Sequence, residues 1–222
     1  GFSNTNPSYS RLQRGDADLI LAYEASRRTK ENLNELEGID LVPVGKDALV
    51  FLANAANPVD SLTREQIHDI YTGRITNWSE VGGKDLPIKA FQRREDSGSQ
   101  TLMRLLLMGD EEIPEKQMVV IAGMEGLIDA LVEYDNSANA IGYSVYYYAN
   151  SMYHQDNLKF LAVDGTAPDN ESIRSGDYEL ANPFYCGTGT ESSANALALR
   201  DWLISEEGQA FVEECGYVAA GE

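Results

Sequence analysis

Short apolar runs alternate with amphipathic stretches from one end of the chain to the other, and cap or turn residues bracket each run. Ala17-Asp18-Leu19-Ile20-Leu21-Ala22-Tyr23 is nearly continuous in apolar side chains, the pattern of a strand buried on both faces of a parallel sheet. Further strands are predicted over Asp40 to Val44, Ala48 to Ala53, Ile88 to Phe91, Ile141 to Val145 and Leu158 to Val163. Helices fall between them. Asn6-Pro7 reads as an N-cap followed by proline at the first helical position, with Tyr9 and Leu12 facing inward and Gly15 as the stop. A polar helix is predicted from about Thr29 to Glu37, closed by Gly38. Thr63-Arg64-Glu65-Gln66 is a capping box that opens a short helix ending at Gly73. Helices are also predicted from about Met124 to Glu133 and from Ser193 to Cys215, the second broken near Gly208. The alternation, without repeats, low-complexity runs or a long Pro/Gly/Ser linker, predicts an α/β protein.

Three helix starts carry small hydroxyl or amide residues: Asn4-Thr5-Asn6, Glu24-Ala25-Ser26 and Ser97-Gly98-Ser99. In open α/β sheets ligands bind beyond the carboxyl ends of strands, where helix N-termini point. The third start is the most informative. Phe91-Gln92-Arg93-Arg94-Glu95-Asp96-Ser97-Gly98-Ser99-Gln100 places Arg93 four residues before Ser97, at the start of an apolar helix. A guanidinium and a set of free helix-start amides thus converge on one point, a ready site for a tetrahedral oxyanion. The same residues form a capping box, with Ser97 as N-cap and Gln100 at the third helical position, and most such boxes bind nothing.

Charge changes this picture. Thirty-six acidic against seventeen basic residues give a net charge of −19, which argues against nucleic acid and anionic membrane surfaces as partners. The long-range field does not recruit an anion either, so short hydrogen bonds from amides, hydroxyls and an arginine have to hold it. The 222 residues suffice for one large domain or two small lobes, and no stretch approaches the ~20 apolar residues of a membrane span. No signal peptide is visible at the start. Cys186 and Cys215 fit no metal spacing and read as either a disulfide or buried free thiols. With His68 and His154 as the two histidines, a histidine metal site or catalytic triad is not expected. An enzyme using the serine loop as nucleophile finds no histidine near Ser97 or Ser99 in sequence. No cofactor and no catalysis are expected.

The segment Leu62-Thr63-Arg64-Glu65-Gln66-Ile67-His68-Asp69-Ile70-Tyr71-Thr72-Gly73-Arg74-Ile75-Thr76-Asn77-Trp78, continuing through Glu80-Val81-Gly82-Gly83, closely resembles the phosphate-binding protein of the ABC-type phosphate transporter, in its Gram-positive form. The resemblance extends to Arg93–Ser99, to Ala140-Ile141-Gly142-Tyr143, and to Glu207-Gly208-Gln209 with Gly216-Tyr217-Val218. It implies a type II periplasmic-binding-protein fold, two α/β lobes joined by crossover strands near Val44–Asn54 and Tyr178–Gly187. Residues 1–48 with 178–222 then form the first lobe and 49–177 the second.

The resemblance also implies roles. Arg93 matches the family's phosphate-clamping arginine, and Ser97, Gly98 and Ser99 match its Ser-Gly-Thr donors, with serine in place of threonine. Glu95 matches an acidic position that braces the arginine, and Thr5 a ligand-binding serine just before a helix. Glu24 or Ser26 falls where the family has an aspartate that accepts the proton of hydrogen phosphate. Implied partners are inorganic phosphate and ABC permease subunits, at an extracytoplasmic location with a lipid anchor in the precursor. Two departures stand out. Nothing matches the family's first strand, Thr-Phe-Pro loop and first helix, so the resemblance starts at the second strand. The acidic acceptor appears as glutamate, with one extra residue before it. Alternatives are another oxyanion, sulfate or molybdate, or a sensory module of the same fold without a transport role. Trp78 and Tyr146-Tyr147-Tyr148 are read as core or lobe-surface aromatics without chemistry.

Overall fold

In a computed structural model of the protein, residues 3–95, 97–111, 113–114, 118–121, 126, 128–129, 131, 137–152 and 156–221 are described. The architecture is organised by β2 (Ile39–Asn54), which serves two packing units in turn. Its first half pairs antiparallel with β8 (Ala181–Gly189), from Ile39↔Gly189 to Ala48↔Ala181, and β8 carries β1 (Ile20–Ala22) on its other edge. Its second half pairs antiparallel with β6 (Ala140–Val145) on one side and β7 (Leu158–Val163) on the other. β4 (Lys89–Arg93) adds parallel to β6, β5 (Met118–Ile121) parallel to β4, and β3 (Ser61–Leu62) parallel to β7. The α/β class expected from the alternating pattern is what forms.

The two strands predicted over 40–44 and 48–53 are therefore one element. Polar Lys46 and Asp47 read as a break, but a register shift between Pro43 and Gly45 lets the strand bend and continue, with Asp47 buried. β1 is shorter than predicted and antiparallel to its neighbour, and Leu21 is 56% exposed, so its apolar run is not covered on both faces.

α1 (Thr5–Gln13) takes Asn4, not Asn6, as N-cap, which places Pro7 at the third helical position. Pro is tolerated there because first-turn N–H groups lack intrahelical partners. α2 (Arg27–Asn32) ends earlier than predicted, since Asn34, Glu35 and Leu36 adopt positive φ of 49°, 54° and 65° and break the helix into a separate turn. α3 (Arg64–Thr72) has the full reciprocal capping box of Thr63 and Gln66 and closes on Gly73 in the left-handed region, as its sequence predicts. α4 (Gly98–Met103) passes directly into a π-helical turn at Arg104–Met108. α5 (Asn170–Ser175) precedes β8. The helix predicted over 124–133 lies largely outside the described residues; Ile128 and Leu131 within it are buried.

The C-terminal helix is divided at Ser205 rather than near Gly208, giving α6 (Ala194–Leu203) and α7 (Glu206–Glu214). Ser205 Oγ accepts from Gly208 N at 3.2 Å, the cap that restarts the helix. A Cβ at Gly208 would lie 2.0 Å from the Trp202 carbonyl oxygen and 2.8 Å from Leu203 Cα, so the glycine is needed where α7 turns back on α6. Alanine ordinarily improves a helix interior by about 1 kcal/mol over glycine. Here the sign reverses: Gly208→Ala is expected to lower stability by about 1–3 kcal/mol, the usual range for overpacking, as read in a thermal melt. A variant as stable as the parent would contradict that contact.

Cores follow the two units. In the second, Leu49, Phe51, Tyr71, Leu102 and Tyr143 are fully buried, and Trp78 joins them with Nε1 donating to the Asn139 carbonyl at 2.8 Å. In the first, Tyr9, Leu12 and Ile20 pack inside α1, while Val44, Phe184, Leu203 and Val212 pack under α6 and α7. Each such fully buried side chain contributes roughly 1.5–3 kcal/mol from area alone. Cys186 is buried and Cys215 exposed; both are free thiols, and burial pushes the Cys186 thiol up to about 11.

Candidate functional site

β4 runs parallel to its neighbours and delivers Arg93 at its carboxyl end, with α4 beginning five residues later. This is the position where open α/β sheets bind ligands. Arg93 is 5% exposed, an unusual burial for a guanidinium that demands compensation by charge or hydrogen bonds. Its backbone N–H donates to the Tyr143 hydroxyl oxygen at 2.9 Å, and that hydroxyl donates to Gln100 Oε1. Burial holds the Tyr143 phenol well above its usual range, so it keeps the proton it donates. The core of β6 thereby fixes both the end of β4 and the first turn of α4.

Ser97 Oγ accepts from Gln100 N at 3.2 Å, as a cap should. The reciprocal half of the predicted box is not made. Gln100 spends its Nε2 on Glu95 Oε1 at 3.0 Å and its Oε1 on Tyr143, while Ser97 N donates to the Arg94 carbonyl at 3.0 Å. Gln100 thus acts as a tether for the loop rather than as a box partner. The Ser99 hydroxyl, 1% exposed, has no hydrogen-bond partner among the described residues. An orphaned buried hydroxyl costs roughly 1–3 kcal/mol unless something supplies the missing partner.

Residues of the first unit close over this helix start. A Cβ at Gly98 would lie 2.6 Å from Thr5 Oγ1 and 2.8 Å from Tyr23 Cδ2. Thr5, the first residue of α1, is 8% exposed. The neighbouring Asn6 stitches three segments together: its Oδ1 accepts from Ser26 N at 2.8 Å, and its Nδ2 is shared between the Glu95 carbonyl and Thr101 Oγ1, each at 3.4 Å. The three hydroxyl- or amide-bearing helix starts are therefore brought to one place, with Asn6 linking them. Asn6 and Tyr23 were absent from the residues expected to form the site. Asn6 stands in one of the three marked junctions, but Tyr23 carried no sequence signal beyond ending an apolar run.

Ser26 is the N-cap of α2, with Oγ accepting from Thr29 N at 3.2 Å. Glu24 is half-buried and forms an ion pair with Lys30 one turn into α2. Glu95 accepts through Oε1 from Gln100 and, at 3.1 Å, from Arg104 Nη2. A cavity of about 670 Å³ opens beside this cluster, lined by Ser26, Lys30, Glu95, Thr101, Arg104 and Asp110 among others. Across it, Arg27 of α2 pairs with Asp110 at 3.1 Å; both side chains are exposed, so the pair contributes little.

Hydroxyls, helix-start amides and a guanidinium are the donor types that an oxyanion requires. No group of three or more His, Cys, Asp or Glu suited to a metal ion occurs among the described residues. His68 lies on α3, engaged with Asp69, Arg74 and Glu111, and His154 lies outside the described residues. No helix of the described residues is long and apolar enough to cross a membrane.

A model of the PBP superfamily domain matches residues 3–207. The Phosphate-binding protein PstS of Borreliella burgdorferi is 26% identical over 204 residues, 89% of this chain and 71% of that protein. The protein of the same name from Bacillus subtilis is 28% identical over 191 residues, 83% of this chain and 60% of that protein. The chain thus spans less than two thirds of the second relative's length. Among solved structures, a putative phosphate ABC transporter substrate-binding protein with bound phosphate from Clostridium perfringens superposes with a TM-score of 0.81 at 27% identity. That match covers 98% of this chain and 85% of the other. An ABC-type phosphate transport receptor from Vibrio cholerae gives a TM-score of 0.74 at 24% identity, over 96% and 84% of the two chains, a likeness of fold.

Proposed function

The chain belongs to the PBP superfamily, and from that premise we propose that it is an extracytoplasmic solute-binding protein that captures inorganic phosphate and delivers it to an ABC-type permease. The observation that carries this reading is the meeting of Thr5 with Gly98, next to a buried Ser99 hydroxyl that has no hydrogen-bond partner among the described residues. The relatives named for phosphate binding support it. Capture of this kind breaks no bond.

In this reading residues 49–177 form one lobe, contributing Arg93, Ser97, Gly98 and Ser99, and residues 1–48 with 178–222 form the other, contributing Thr5. Ser99 and Thr5 donate hydroxyls, Gly98 and Ser99 donate amides, and Arg93 supplies the charge. Glu95 is the residue proposed to brace Arg93, and its carboxylate also holds the loop through Gln100 and Arg104. Glu24 or Ser26 supplies the acceptor. A carboxylate has about four lone-pair sites, so the Lys30 pair leaves Glu24 able to accept a further hydrogen bond. A lipid anchor in the full-length precursor belongs to the same proposal.

An acceptor sets the specificity. Hydrogen phosphate carries a P–OH that can donate, whereas sulfate has none and would set lone pair against lone pair in a desolvated pocket, at a cost of several kcal/mol. Phosphate is therefore expected to bind on the order of a hundredfold tighter than sulfate, a difference of about 2.7 kcal/mol. Titration calorimetry with the two anions at pH 7.5 checks this; equal affinities would remove the acceptor and favour a general oxyanion binder.

A further inference from the structure

The strand shared by the two units carries a buried carboxylate that the anion cradle does not use. Asp47 is 1% exposed and stands where β2 changes partners: Asp47 and Ala48 still pair with β8, and Leu49 begins the pairing with β6. It accepts hydrogen bonds from both sides. Oδ2 takes the Tyr23 hydroxyl at 2.6 Å, and Oδ1 takes the Tyr147 N–H at 3.0 Å and the Ala48 N–H at 2.8 Å. Tyr23 follows β1 in the first unit, and Tyr147 follows β6 in the second. The Tyr23 ring in turn lies against Gly98, so contacts run unbroken from Asp47 to the start of α4.

The surroundings are tight. Tyr147 stacks on Tyr217 with centroids 3.7 Å apart, and Phe184 packs against Tyr217 at 4.8 Å and edge-on to Tyr23 at 6.5 Å. A Cβ at Gly45 would lie 2.4 Å from the Phe184 ring. Into this aromatic box a carboxylate fits only because it collects three donors; burying it otherwise would cost more than an apolar residue of the same size. What it provides that an apolar residue cannot is a single fixed arrangement of three segments drawn from both units.

We propose that Asp47 pins the two units in the closed arrangement and, through the Tyr23 ring, holds the Gly98 helix start where it meets the anion. The inference rests on the phosphate-capture reading. Asp47 and Tyr23 act as positioning residues; neither touches the ligand.

The pin is sensitive to protons. Burial raises the Asp47 carboxyl to about 6. The titratable groups facing it are Tyr23 from the segment after β1, Tyr146 and Tyr147 from the segment after β6, and Tyr217 near the C-terminus. Burial raises the phenols of Tyr23, Tyr146 and Tyr217, which stay protonated. The adjoining Lys46 ammonium is directed away, to the Arg174 carbonyl at 3.2 Å. Above about pH 6 the carboxylate accepts all three donors. Below it, one oxygen gains a proton, and the charge-assisted bond from Tyr23 is lost or reversed. Stability follows the sign of the shift. A folded-state value above the unfolded one means the buried charge costs stability above about pH 6, a cost relieved as the pH falls through 6 toward 4. The same linkage governs closure: opening the units would return Asp47 to water and bring its carboxyl back toward the usual range, so acidification favours the closed arrangement.

The test is phosphate calorimetry on the wild type, Tyr23→Phe and Asp47→Asn from pH 5 to 8, with thermal melts and small-angle scattering of the ligand-free proteins. Both variants are expected to bind phosphate about tenfold more weakly at pH 7.5 and to scatter as more open particles, with Asp47→Asn melting no lower than the wild type. Once the titration of phosphate itself is subtracted, wild-type affinity should rise as the pH falls through 6, and Asp47→Asn should lack that rise. Variants with wild-type affinity and scattering overturn the pin. If the wild type takes up no phosphate, the capture reading fails instead, and the scattering comparison, which needs no ligand, still decides whether Asp47 and Tyr23 hold the units together.

Discussion

Gly98→Ala is expected to reduce phosphate affinity by about a hundredfold or more, a loss of at least about 2.7 kcal/mol, while shifting the melting temperature by no more than a few degrees. Gly98 is the first residue of α4, where alanine suits the backbone at least as well as glycine. The fold of its own unit therefore has no reason to suffer. The added methyl would meet Thr5 Oγ1 at 2.6 Å and Tyr23 Cδ2 at 2.8 Å, both from the other unit. Neither neighbour gives way easily. Thr5 is β-branched and buried at the start of α1, and Tyr23 is tied by its hydroxyl to Asp47. The units must move apart instead, and a displacement of about 1 Å in a hydrogen-bonding constellation is enough for a hundredfold effect. Calorimetry beside a thermal melt separates the two consequences; undiminished affinity would falsify the closure contact.

The second large effect is at Arg93. Arg93→Ala is expected to cost about 2–5 kcal/mol of phosphate binding, the range for truncating one partner of a buried charged contact. A guanidinium 5% exposed also fills volume, so some loss of stability is expected with it. Arg93→Lys separates the two roles. Lysine restores charge and most of the packing but presents a point charge instead of a planar fork, so stability should return while affinity returns only in part. A variant Arg93→Ala that bound phosphate as tightly as the parent would make Arg93 a purely structural ion.

These residues show how unevenly a sequence displays its structure. Thr63 with Gln66, and the strand Leu158–Val163, are as predicted, because capping chemistry and a bounded apolar run are written in contiguous residues. The family resemblance carried by residues 62–83 and 93–99 is likewise matched, over residues 3–207. Where partners lie far along the chain, local pattern misleads. Gln100 stands at the right spacing for a reciprocal box with Ser97, yet Tyr143 and Glu95 claim its amide. Lys46 and Asp47 look like the end of a strand, yet Asp47 is buried by donors from Tyr23 and Tyr147 and the strand runs on. The apolar run ending at Tyr23 resembles a doubly covered parallel strand, yet its neighbour β8 runs antiparallel and Leu21 faces outward. Of the site, the arginine and the serine-glycine-serine start were legible as chemistry. Thr5 entered as a ligand residue only through the family resemblance, and the approach of Tyr23 to Gly98 was not legible at all, since contact across more than seventy positions leaves no local periodicity to read.

The divided pairing of β2 also dictates an order of assembly. Its second half finds β6 and β7 within the next stretch of chain, but its first half must wait for β8, with Val42 opposite Cys186. Closing a loop of roughly 140 residues costs more chain entropy than closing the shorter ones, and such distant contacts are made late. On a ribosome, the residues from the end of α1 to the middle of β2 emerge before β8 and stay without that sheet partner until it has been made. The segment that supplies Thr5 and Tyr23 is thus made well before the strand that completes its sheet, a window in which its apolar run depends on protection from other chains.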